Sequence, residues 1–580
     1  MRQLLTGIAV LSLVSIVYQG RADDLDEFIR KQMQKRHVPG LSIAIIQDGK
    51  LIKAKGYGFI DKNGSAPVTP TTLFQAGSIS KSVAAVGALQ LTEEGKLQLD
   101  EDVNTKLKTW KVPENEFTKD KKVTLRGLLS HTTGLTVHGF PGYEVGAPIP
   151  TVRQILDGSS PANTAAVRVD FVPGTRWRYS GGGYTVIQQL ITDVTGQPFP
   201  QFMKTTVLAP LGMAQSTFQQ PLPVDKAKMT ATGHSRERDL IKGRWHIYPE
   251  MAAAGLWTTP SDLARFAMGI QNALAGKPGA VLSKQMARQM LTDQKDKDGL
   301  GVFLEGEGNT MRFGHNGRDE GFDALMTAGA QTGQGVIIMI NANDNSRMLG
   351  HIVDEVAKEY HWVGYPTTTP AKRVAVAVDS KQLTAYEGRY ELYNNRMISL
   401  VATKDRLFTL VDGFDDEEFV PETTTRFASA DRDAYLSFMP NAVGEVTELV
   451  WKNAKEDRKI PRIGPLFHAP KPATDPDPAR THQIELALQA MAQGGKAVAA
   501  VSGVTPGVRK DFVQGAGVLS AMKSLTFISA ENVKGRGLER HEGPVDQVLN
   551  YQFSTGTAAR YVLVYLTSDG LVTDYDVVEK

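Results

Sequence analysis

The chain of 580 residues contains no cysteine, and this absence excludes several chemistries at once. Disulfide bonds, thiolate nucleophiles, iron–sulfur clusters and cysteine-ligated zinc sites cannot form. A charge excess of one sign is also missing, because 65 Lys and Arg residues oppose 63 Asp and Glu residues, for a net charge of +2. Dedicated nucleic-acid-binding proteins usually carry a strong basic excess or stripe, so no nucleic-acid partner is expected.

Three further signatures are missing. The sequence has no Gly-x-Ser-x-Gly run of an α/β-hydrolase, no phosphate-binding Gly-x-x-x-x-Gly-Lys-Ser/Thr loop and no His-Glu-x-x-His helix. The 11 histidines are scattered, and His131 and His138 lie seven residues apart in a predicted loop. We therefore expect neither a metal site nor an organic cofactor.

The N-terminus has the pattern of a secretory leader. Met1–Gln3 is short and basic, Leu4–Val17 is mostly apolar, and small residues at positions 20 and 22 precede Asp23. The apolar run is shorter than the ~20 residues of a membrane span, although an uncleaved anchor is the alternative. We expect cleavage after Ala22 and an exported bacterial protein, periplasmic or secreted, with no stable membrane insertion after the leader is removed.

Hydrophobic residues make up 41% and charged residues 22% of the chain, which is typical of globular proteins long enough for several domains. Proline-rich stretches at 365–370 and 469–478 read as linkers. The predicted organisation is a leader at 1–22, a first domain at 23–363, a linker at 364–380, a second domain at 381–468, a linker at 469–479 and a third domain at 480–580.

The first domain is predicted to be α+β. A helix over 25–36 is followed by two strand-like runs around Asp48-Gly49, a strong hairpin signal. Two more strands are predicted at 323–328 and 336–340, with long helical stretches in between. This order favours an antiparallel sheet completed by both ends of the domain, flanked by helices and carrying a helical subdomain.

The second domain has five short strand-like runs separated by turn residues, at 388–392, 398–403, 407–411, 434–438 and 446–451, which predict a small antiparallel β-barrel. Its acidic cluster at 412–418 does not match an EF-hand loop and is interpreted as a solvated loop. The third domain starts with a helix over 483–492 and ends in strands, which predicts a small α+β unit. Neither domain has a cluster of catalytic residue types, so both are interpreted as binding or packing modules.

The sharpest local signal is Ser78-Ile-Ser-Lys81 at the start of an apolar helix. Residues three apart share one helix face, so the serine hydroxyl and the lysine amine are neighbours. The helix N-terminus can stabilise developing negative charge. A desolvated lysine has a lowered pKa and can accept the serine proton. A second copy, Ser520-Ala-Met-Lys523, has no such context and is interpreted as coincidence.

Two further elements follow downstream. Tyr179 precedes Ser180 and a glycine-rich turn that leads into a helix, and a phenol near a lysine can act as an acid or base. Gly314-His315-Asn316-Gly317 lies on a predicted strand, where the glycine lets a ligand approach the backbone. Taken alone, Tyr179 is better explained as a residue that caps a helix by a hydrogen bond, and His315 as a surface histidine.

Together, in this order, the three elements resemble those of the serine β-lactamase and penicillin-binding-protein superfamily. The stretches Leu125–Leu135 and Ala253–Arg265 fit the branch of class C β-lactamases, D-aminopeptidases and related esterases. The resemblance covers residues 23–363. It implies that Ser78 is the acylated nucleophile, Lys81 its base, Tyr179 a proton relay and His315 an orienting group.

The same resemblance implies an oxyanion hole from the backbone amides of Ser78 and Arg318, the residue after Gly317. It also marks Gly181 and Asn316 as substrate-binding positions. Gly181 stands where the family usually has an amide side chain, and His315 where many relatives have a fixed cation. Both departures weaken the case for efficient β-lactam hydrolysis, unless Arg312 or Arg318 supplies the missing charge.

We therefore expect a serine hydrolase that cleaves an amide or ester in a small molecule, short peptide or D-residue peptide through an acyl-enzyme. Peptidoglycan-derived peptides are one candidate source of the substrate. The first alternative is β-lactamase or D,D-carboxypeptidase activity. The alternative of another class is a catalytically silent relative that binds peptidoglycan or a protein partner.

Overall fold

In the computed structural model the described residues are 11–578, with short gaps. The residues outside the description are 1–10, 236–237, 345–347, 363, 366–374, 394–395, 404, 412–413, 431–433, 442–444, 454–456, 467–472, 494, 512–518, 520–521, 523, 537, 541–542, 555–558 and 579–580. The predicted leader lies outside them except for helix backbone from Leu11 onward, and most of both predicted linkers also lies outside. None of the described helices is long and apolar enough to span a membrane.

The described chain divides into two compact units, residues 1–344 with 348–367, and residues 345–347 with 368–580. The helices of the first unit are α1 Leu11–Arg36, α2 Ile79–Glu93, α3 Leu125–Leu129, α4 Val152–Asp157, α5 Gly181–Thr195, α6 Phe199–Met203, α7 Val224–Ala227, α8 Met251–Ala254, α9 Pro260–Ala275, α10 Lys284–Met290 and α11 Met348–Glu359. Its strands are β1 Gly40–Gln47, β2 Lys50–Gly58, β3 Phe74–Gln75, β4 Tyr143–Glu144, β5 His246–Ile247, β6 Trp257–Thr258, β7 Phe303–Glu305, β8 Arg312–Asp319, β9 Phe322–Gly329 and β10 Gly335–Ile340.

The first unit is built on an antiparallel sheet in the order β2-β1-β10-β9-β8-β7. Its N-terminal and C-terminal strands meet in the centre, where Leu41 of β1 pairs with Ile340 of β10. The β1–β2 hairpin turns at Asp48 and Gly49, which both have positive φ, as a two-residue hairpin turn requires. The predicted α+β sheet completed by both ends of the domain is confirmed.

Both faces of this sheet are covered, which explains why β1 reads as an unbroken apolar run. Alternation along the strand sends Ala44 and Ile46 into the large core shared with α2 and α9. Leu41, Ile43 and Ile45 enter a second core against α1 and α11. A strand buried on both faces loses the alternating pattern of a half-exposed strand.

Helix α1 is fastened to the edge of the sheet by one buried carboxylate. Asp26 accepts hydrogen bonds from Lys53 at 2.5 Å and from the Tyr57 hydroxyl at 2.7 Å, and it also contacts Lys55. Burial alone would raise the pKa of Asp26, but these three donors hold it at about 2. The carboxylate therefore stays ionised at neutral pH and links the helix to β2.

The second unit contains a closed antiparallel barrel of eight strands that occur in chain order. The barrel strands are β11 Gly388–Tyr393, β12 Arg396–Thr403, β13 Arg406–Val411, β14 Phe414–Pro421, β15 Arg426–Ser429, β16 Ala434–Pro440, β17 Val446–Asn453 and β18 Asp457–Gly464. The predicted barrel is confirmed. The interpretation of 412–418 as a solvated loop is wrong for its described part, because β14 lies there with Glu417 buried.

The remainder of the second unit is a four-stranded antiparallel sheet with helices. Its further elements are α12 Ser380–Tyr386, α13 Pro478–Gln493, α14 Gly495–Ala500, α15 Pro506–Asp511, β19 Leu525–Asn532, β20 Glu539–Arg540, β21 Gly543–Pro544, β22 Gln547–Ser554, β23 Ala559–Leu566 and β24 Val572–Val578. Ile463 of the barrel shares a buried cluster with Val548 and Leu563 of this sheet. Arg540 pairs with Glu391 of the barrel, with 2.7 Å between Nη2 and Oε2, and with Asp574 at 3.2 Å.

Candidate active site

Ser78 and Lys81 lie at the start of α2, beneath the end of strand β8. Ser78 is the N-cap residue, and the Lys81 amine lies 2.9 Å from its hydroxyl oxygen. Twelve residues of the helix are buried, and Lys81 is among them with 2% of its surface exposed. The apolar helix that marked this motif in the sequence is therefore what removes the lysine from water.

The surroundings of Lys81 favour its neutral form. Burial lowers the pKa of Lys81 to about 7, and the opposing attraction of Asp319 is the smaller effect. The amine also donates to the Ala253 carbonyl at 2.7 Å. A lysine that titrates near pH 7 and already contacts a serine hydroxyl is suited to accept the serine proton.

The short helix α8, which carries the carbonyl that holds Lys81, is held by Gln188, a residue that the sequence did not single out. Gln188 lies on α5 with 1% of its surface exposed. Its amide nitrogen donates to the Pro249 carbonyl at 3.0 Å, and its amide oxygen accepts from the Ala252 N–H at 3.0 Å. This pair of bonds fixes α8, and α8 presents the Ala253 carbonyl to Lys81.

Two buried carboxyl groups belong to the surroundings of this lysine, because Asp319 acts on Lys81 electrostatically and Glu250 acts on Asp319. Glu250 and Asp319 have 0% and 3% of their surfaces exposed, and within the described residues no side-chain hydrogen bond reaches their carboxyl oxygens within 3.5 Å. Burial raises the pKa of Glu250 to about 8 and that of Asp319 well above its usual range. Burial thus disfavours the charged form of both carboxyl groups, and at Asp319 the attraction of Lys81 opposes this effect.

The Tyr179 phenol lies beside the nucleophile. Burial raises the pKa of the phenol well above its usual value, and the neighbouring Ser78 hydroxyl is the smaller, opposing influence. Lys81 Nζ lies 5.0 Å from the centre of the Tyr179 ring. The Ser78 hydroxyl is thus placed between an amine near its neutral point and a phenol that stays protonated.

His131, from the loop after α3, positions Tyr179 through both its backbone and its ring. Its carbonyl accepts from the Arg178 N–H at 2.8 Å, and its Nδ1 atom accepts from the Ser180 N–H at 3.1 Å. The ring centres of His131 and Tyr179 are 4.3 Å apart. Burial lowers the pKa of His131 well below its usual value, so Nδ1 remains an acceptor.

Strand β8 completes the site with the third motif. Alternation places His315, Gly317 and Asp319 on the buried face. The His315 ring lies 6.1 Å from the Tyr179 ring and 4.7 Å from the Phe303 ring. Burial lowers the pKa of His315 to about 3, so this imidazole is neutral over the working pH range of most enzymes.

Two glycines bring β8 close to the start of α2. A Cβ atom on Gly317 would lie 1.9 Å from the Ala76 carbonyl oxygen, and one on Gly77 would lie 2.3 Å from the Arg318 nitrogen. A two-residue turn joins β8 to β9, and Asp319 and Phe322 form the hydrogen-bonded pair next to it. Hydrogen-bonded and non-hydrogen-bonded pairs alternate along antiparallel strands, so the next residue, Arg318, directs its N–H away from β9. The Ser78 and Arg318 N–H groups therefore lie close together.

The remaining predicted positions are less directly placed. Asn316 lies on the opposite face of β8 with its side chain exposed. The Arg318 side chain is held by Asp323, with 2.7 Å from Nε to the carboxylate. Arg312 also faces away from Ser78 and pairs with Glu305 at 3.0 Å. The second Ser-x-x-Lys run lies outside the described residues.

The structure thus brings Ser78, Lys81, Tyr179, His315 and Gly317 together, although they come from separate parts of the chain. Sequence reasoning missed Gln188, Glu250 and Asp319, because no local pattern marks a buried polar residue on an apolar helix or strand. His131 was noted in the sequence as a histidine in a predicted loop, but its contact with Tyr179 arises only from the fold.

Comparison with known proteins identifies the family. The beta-lactamase family model matches residues 25–358, more than half of the chain. The chain therefore belongs to the beta-lactamase family. Its family domain contains every residue of the candidate active site.

Curated relatives are distant and are matched in part. Protein flp of Staphylococcus aureus (strain N315) is 25% identical over 337 residues, which cover 55% of this chain and 63% of flp. The putative penicillin-binding protein PbpX of Bacillus subtilis (strain 168) is 25% identical over 319 residues, which cover 54% of this chain and 73% of PbpX. The match to flp thus spans less than two thirds of that relative.

A solved structure shows the same fold beyond the family domain. The octameric penicillin-binding protein homologue from Pyrococcus abyssi superposes with a TM-score of 0.53 at 23% identity. The match covers 76% of this chain and 99% of the homologue. At this identity the likeness shows a shared fold, and it covers a larger share of the chain than the family domain does.

Proposed function

We propose that this protein is an exported serine hydrolase that cleaves an amide or ester bond through an acyl-enzyme on Ser78. One observation carries the proposal: the Ser78 hydroxyl lies 2.9 Å from the buried Lys81 amine, with the Tyr179 phenol beside it. Belonging to the beta-lactamase family supports the same reaction class. Export rests on the leader pattern of residues 1–22 alone.

In the acylation step Ser78 Oγ attacks the substrate carbonyl carbon while its proton passes to the neutral Lys81 amine. The negative charge on the carbonyl oxygen is stabilised by the N–H groups of Ser78 and Arg318, and such a donor contributes ~3 kcal/mol in other enzymes. As the bond to the leaving group breaks, the Tyr179 phenol donates a proton to it. The Lys81 ammonium then returns a proton to Tyr179.

Deacylation reverses the proton path. Water attacks the Ser78 ester, and its proton passes through Tyr179 to the neutral Lys81 amine. Ser78 regains its proton from Lys81 as the acid product departs, so the enzyme returns to its starting state. His315, neutral and packed between Tyr179 and Phe303, would orient the phenol without adding charge.

The charges around the site favour a substrate without a carboxylate on the leaving group. Arg318 is engaged by Asp323, and Arg312 by Glu305 on the other face of the sheet. His315 is neutral. A β-lactam or a peptide with a free C-terminus would find no fixed cation on β8 for its carboxylate. We therefore favour esters, amides and short or D-residue peptides with an uncharged leaving group.

Two other readings remain as second candidates. β-Lactamase or D,D-carboxypeptidase activity would agree with the family and needs a cation from elsewhere in the site. A catalytically silent relative that binds peptidoglycan would have no use for a lysine whose pKa is lowered to about 7 beside a serine. The second unit, with its barrel, is assigned a binding or packing role.

A fluorophosphonate probe tests the central step. The protein without residues 1–22 should form an adduct on Ser78, located by peptide mass spectrometry, and the adduct should be lost in Lys81→Met. Ser520, in the second Ser-x-x-Lys run, is the internal control and should stay unmodified. Folded protein that forms no adduct on Ser78 would rule out the hydrolase and favour the silent relative.

Substrate class is then assigned with a panel of p-nitrophenyl esters, D-aminoacyl anilides and β-lactams. We expect turnover of esters or anilides with uncharged leaving groups at rates above those for β-lactams. Efficient β-lactam hydrolysis with poor ester turnover would favour the β-lactamase or D,D-carboxypeptidase over the ester or amide hydrolase. Activity recovered from the periplasm or the medium, and not from cytoplasm, would support export.

A further inference from the structure

The position of the missing amide in the second motif is already filled by a neighbouring loop. A Cβ atom on Gly181 would lie 3.0 Å from the His138 carbonyl oxygen and 3.0 Å from a ring carbon of Phe140. The Gly181 N–H also donates to the His138 carbonyl at 2.9 Å. Glycine at this position is therefore what allows the loop of residues 136–140 to pack onto the start of α5.

That loop places an imidazole at the mouth of the site. The His138 side chain is exposed, and its ring centre lies 4.9 Å from that of Tyr179. Tyr179 in turn lies beside Ser78, so His138 is one side chain away from the nucleophile. Within the described part of the chain, the ring nitrogens of His138 have no recorded hydrogen bond.

The other two histidines around Tyr179 already use a ring nitrogen in a hydrogen bond within the protein. His131 uses Nδ1 to accept from the Ser180 N–H, and His315 places Nδ1 2.5 Å from the Asn316 carbonyl. Both are buried, with 3% and 7% of their surfaces exposed. Of these three histidines, His138 is the one that is exposed and whose ring nitrogens form no hydrogen bond among the described residues. A neutral imidazole offers one donor and one acceptor, as a side-chain amide does in another geometry.

We propose that His138 is a substrate-binding residue that replaces the absent amide and hydrogen-bonds to an amide group in the acyl part of the substrate. The proposal rests on the serine hydrolase function and names its substrate class: N-acylated amino acid or peptide acyl groups rather than plain alkanoyl groups. Phe140 supports the contact by holding the loop against Gly181.

The test compares p-nitrophenyl esters of N-acetylglycine and pentanoic acid, which have acyl chains of equal length. His138→Phe keeps an aromatic ring beside Tyr179 and removes the hydrogen bond, whereas His138→Gln keeps a hydrogen-bonding group and removes the ring. We expect the kcat/KM ratio of the N-acetylglycine ester to the pentanoate ester to fall about tenfold in His138→Phe, the equivalent of one neutral hydrogen bond. In His138→Gln the ratio should stay within about threefold of the wild-type value.

His482→Phe, at an exposed position on α13, is the control and should leave the ratio unchanged. An unchanged ratio in His138→Phe, an equal fall in His138→Gln, or a wild-type enzyme that cleaves only the pentanoate ester would each overturn the inference. Fluorophosphonate labelling of Ser78 separates the two hypotheses. Labelled protein with an insensitive ratio rejects only the role of His138, whereas unlabelled protein rejects the hydrolase itself.

Discussion

Each unit buries a cluster of ionisable residues, and the two clusters are arranged in opposite ways. In the first unit, the described residues include no ion pair within 4.0 Å for Lys81, for its neighbour Asp319 or for Glu250, which acts on Asp319, and burial favours the neutral form of all three. In the second unit, Arg540 is 5% exposed and is paired with Glu391 and Asp574.

The difference separates reactivity from structure. Burial raises the free energy of the charged form of an unpaired group, so its pKa moves toward neutral pH, where it can both accept and release a proton. A buried charge in a complete ion pair cannot gain or lose a proton without breaking that ion pair. It therefore serves to hold secondary-structure elements together. We therefore expect losses in the first cluster to appear as activity and losses in the second as stability.

The largest expected effect is on catalysis. Lys81→Met should lower kcat/KM by ~10⁴ or more, because the base for Ser78 is lost. The melting temperature should not fall, since Met fills the same apolar space without a buried amine. Ser78→Ala should lose as much, and the double variant should lose little more. Lys81→Met with more than a tenth of wild-type activity would show that another group is the base.

The second cluster should fail in the opposite way. Arg540→Met leaves the carboxylate of Glu391 buried without its partner, which should cost about 3–5 kcal/mol of the free energy of unfolding. Denaturant unfolding of the full chain measures this cost. Labelling of Ser78 should be unaffected, because the first unit has its own cores. The control Lys459→Met removes an exposed pair with Glu448 and should change stability by less than about 1 kcal/mol. Equal effects of both variants would contradict the comparison.

The close approach of β8 to α2 should be sensitive to one methyl group. Gly317→Ala would place Cβ 1.9 Å from the Ala76 carbonyl oxygen, so the two backbones must move apart. Because the Arg318 N–H moves with β8, we expect kcat to fall by about a hundredfold. Gly350→Ala on α11 is the matched control, since no atom lies within 4 Å of its Cβ. If both alanine variants keep full activity, the backbone of β8 does not contribute to the oxyanion hole.

The pH dependence gives the smallest but most direct contrast. Neutral Lys81 is the reactive form and its pKa is about 7, so kcat/KM should rise with pH through about 7 and fall tenfold per unit below it. His315 has a pKa of about 3 and cannot produce this limb. Asp319 raises the pKa of Lys81, so Asp319→Asn should move the midpoint to lower pH. A limb near pH 4, or one that Asp319→Asn moves upward, would contradict this assignment.

The sequence was sufficient for the elements with strong local patterns. The spacing of Ser78 and Lys81 on an apolar helix, the Asp48-Gly49 turn and the strands 323–328 and 336–340 all depend on interactions between near neighbours. Hydrophobic periodicity and turn residues in a sequence indicate interactions of this local kind. The barrel strands β14, β15 and β18 were missed because charged and proline residues interrupt their alternation, and barrel closure supplies the pairing that compensates.

The sequence by itself determined the family of the first domain and the order of its three motifs. Only the tertiary structure decided that Gln188 fixes the helix α8 beside Lys81, that His131 holds Tyr179, and that Asn316 faces away from the site. The physical reason is that these contacts join residues far apart in the chain. Burial and direction, which set both pKa and reach, exist only after packing.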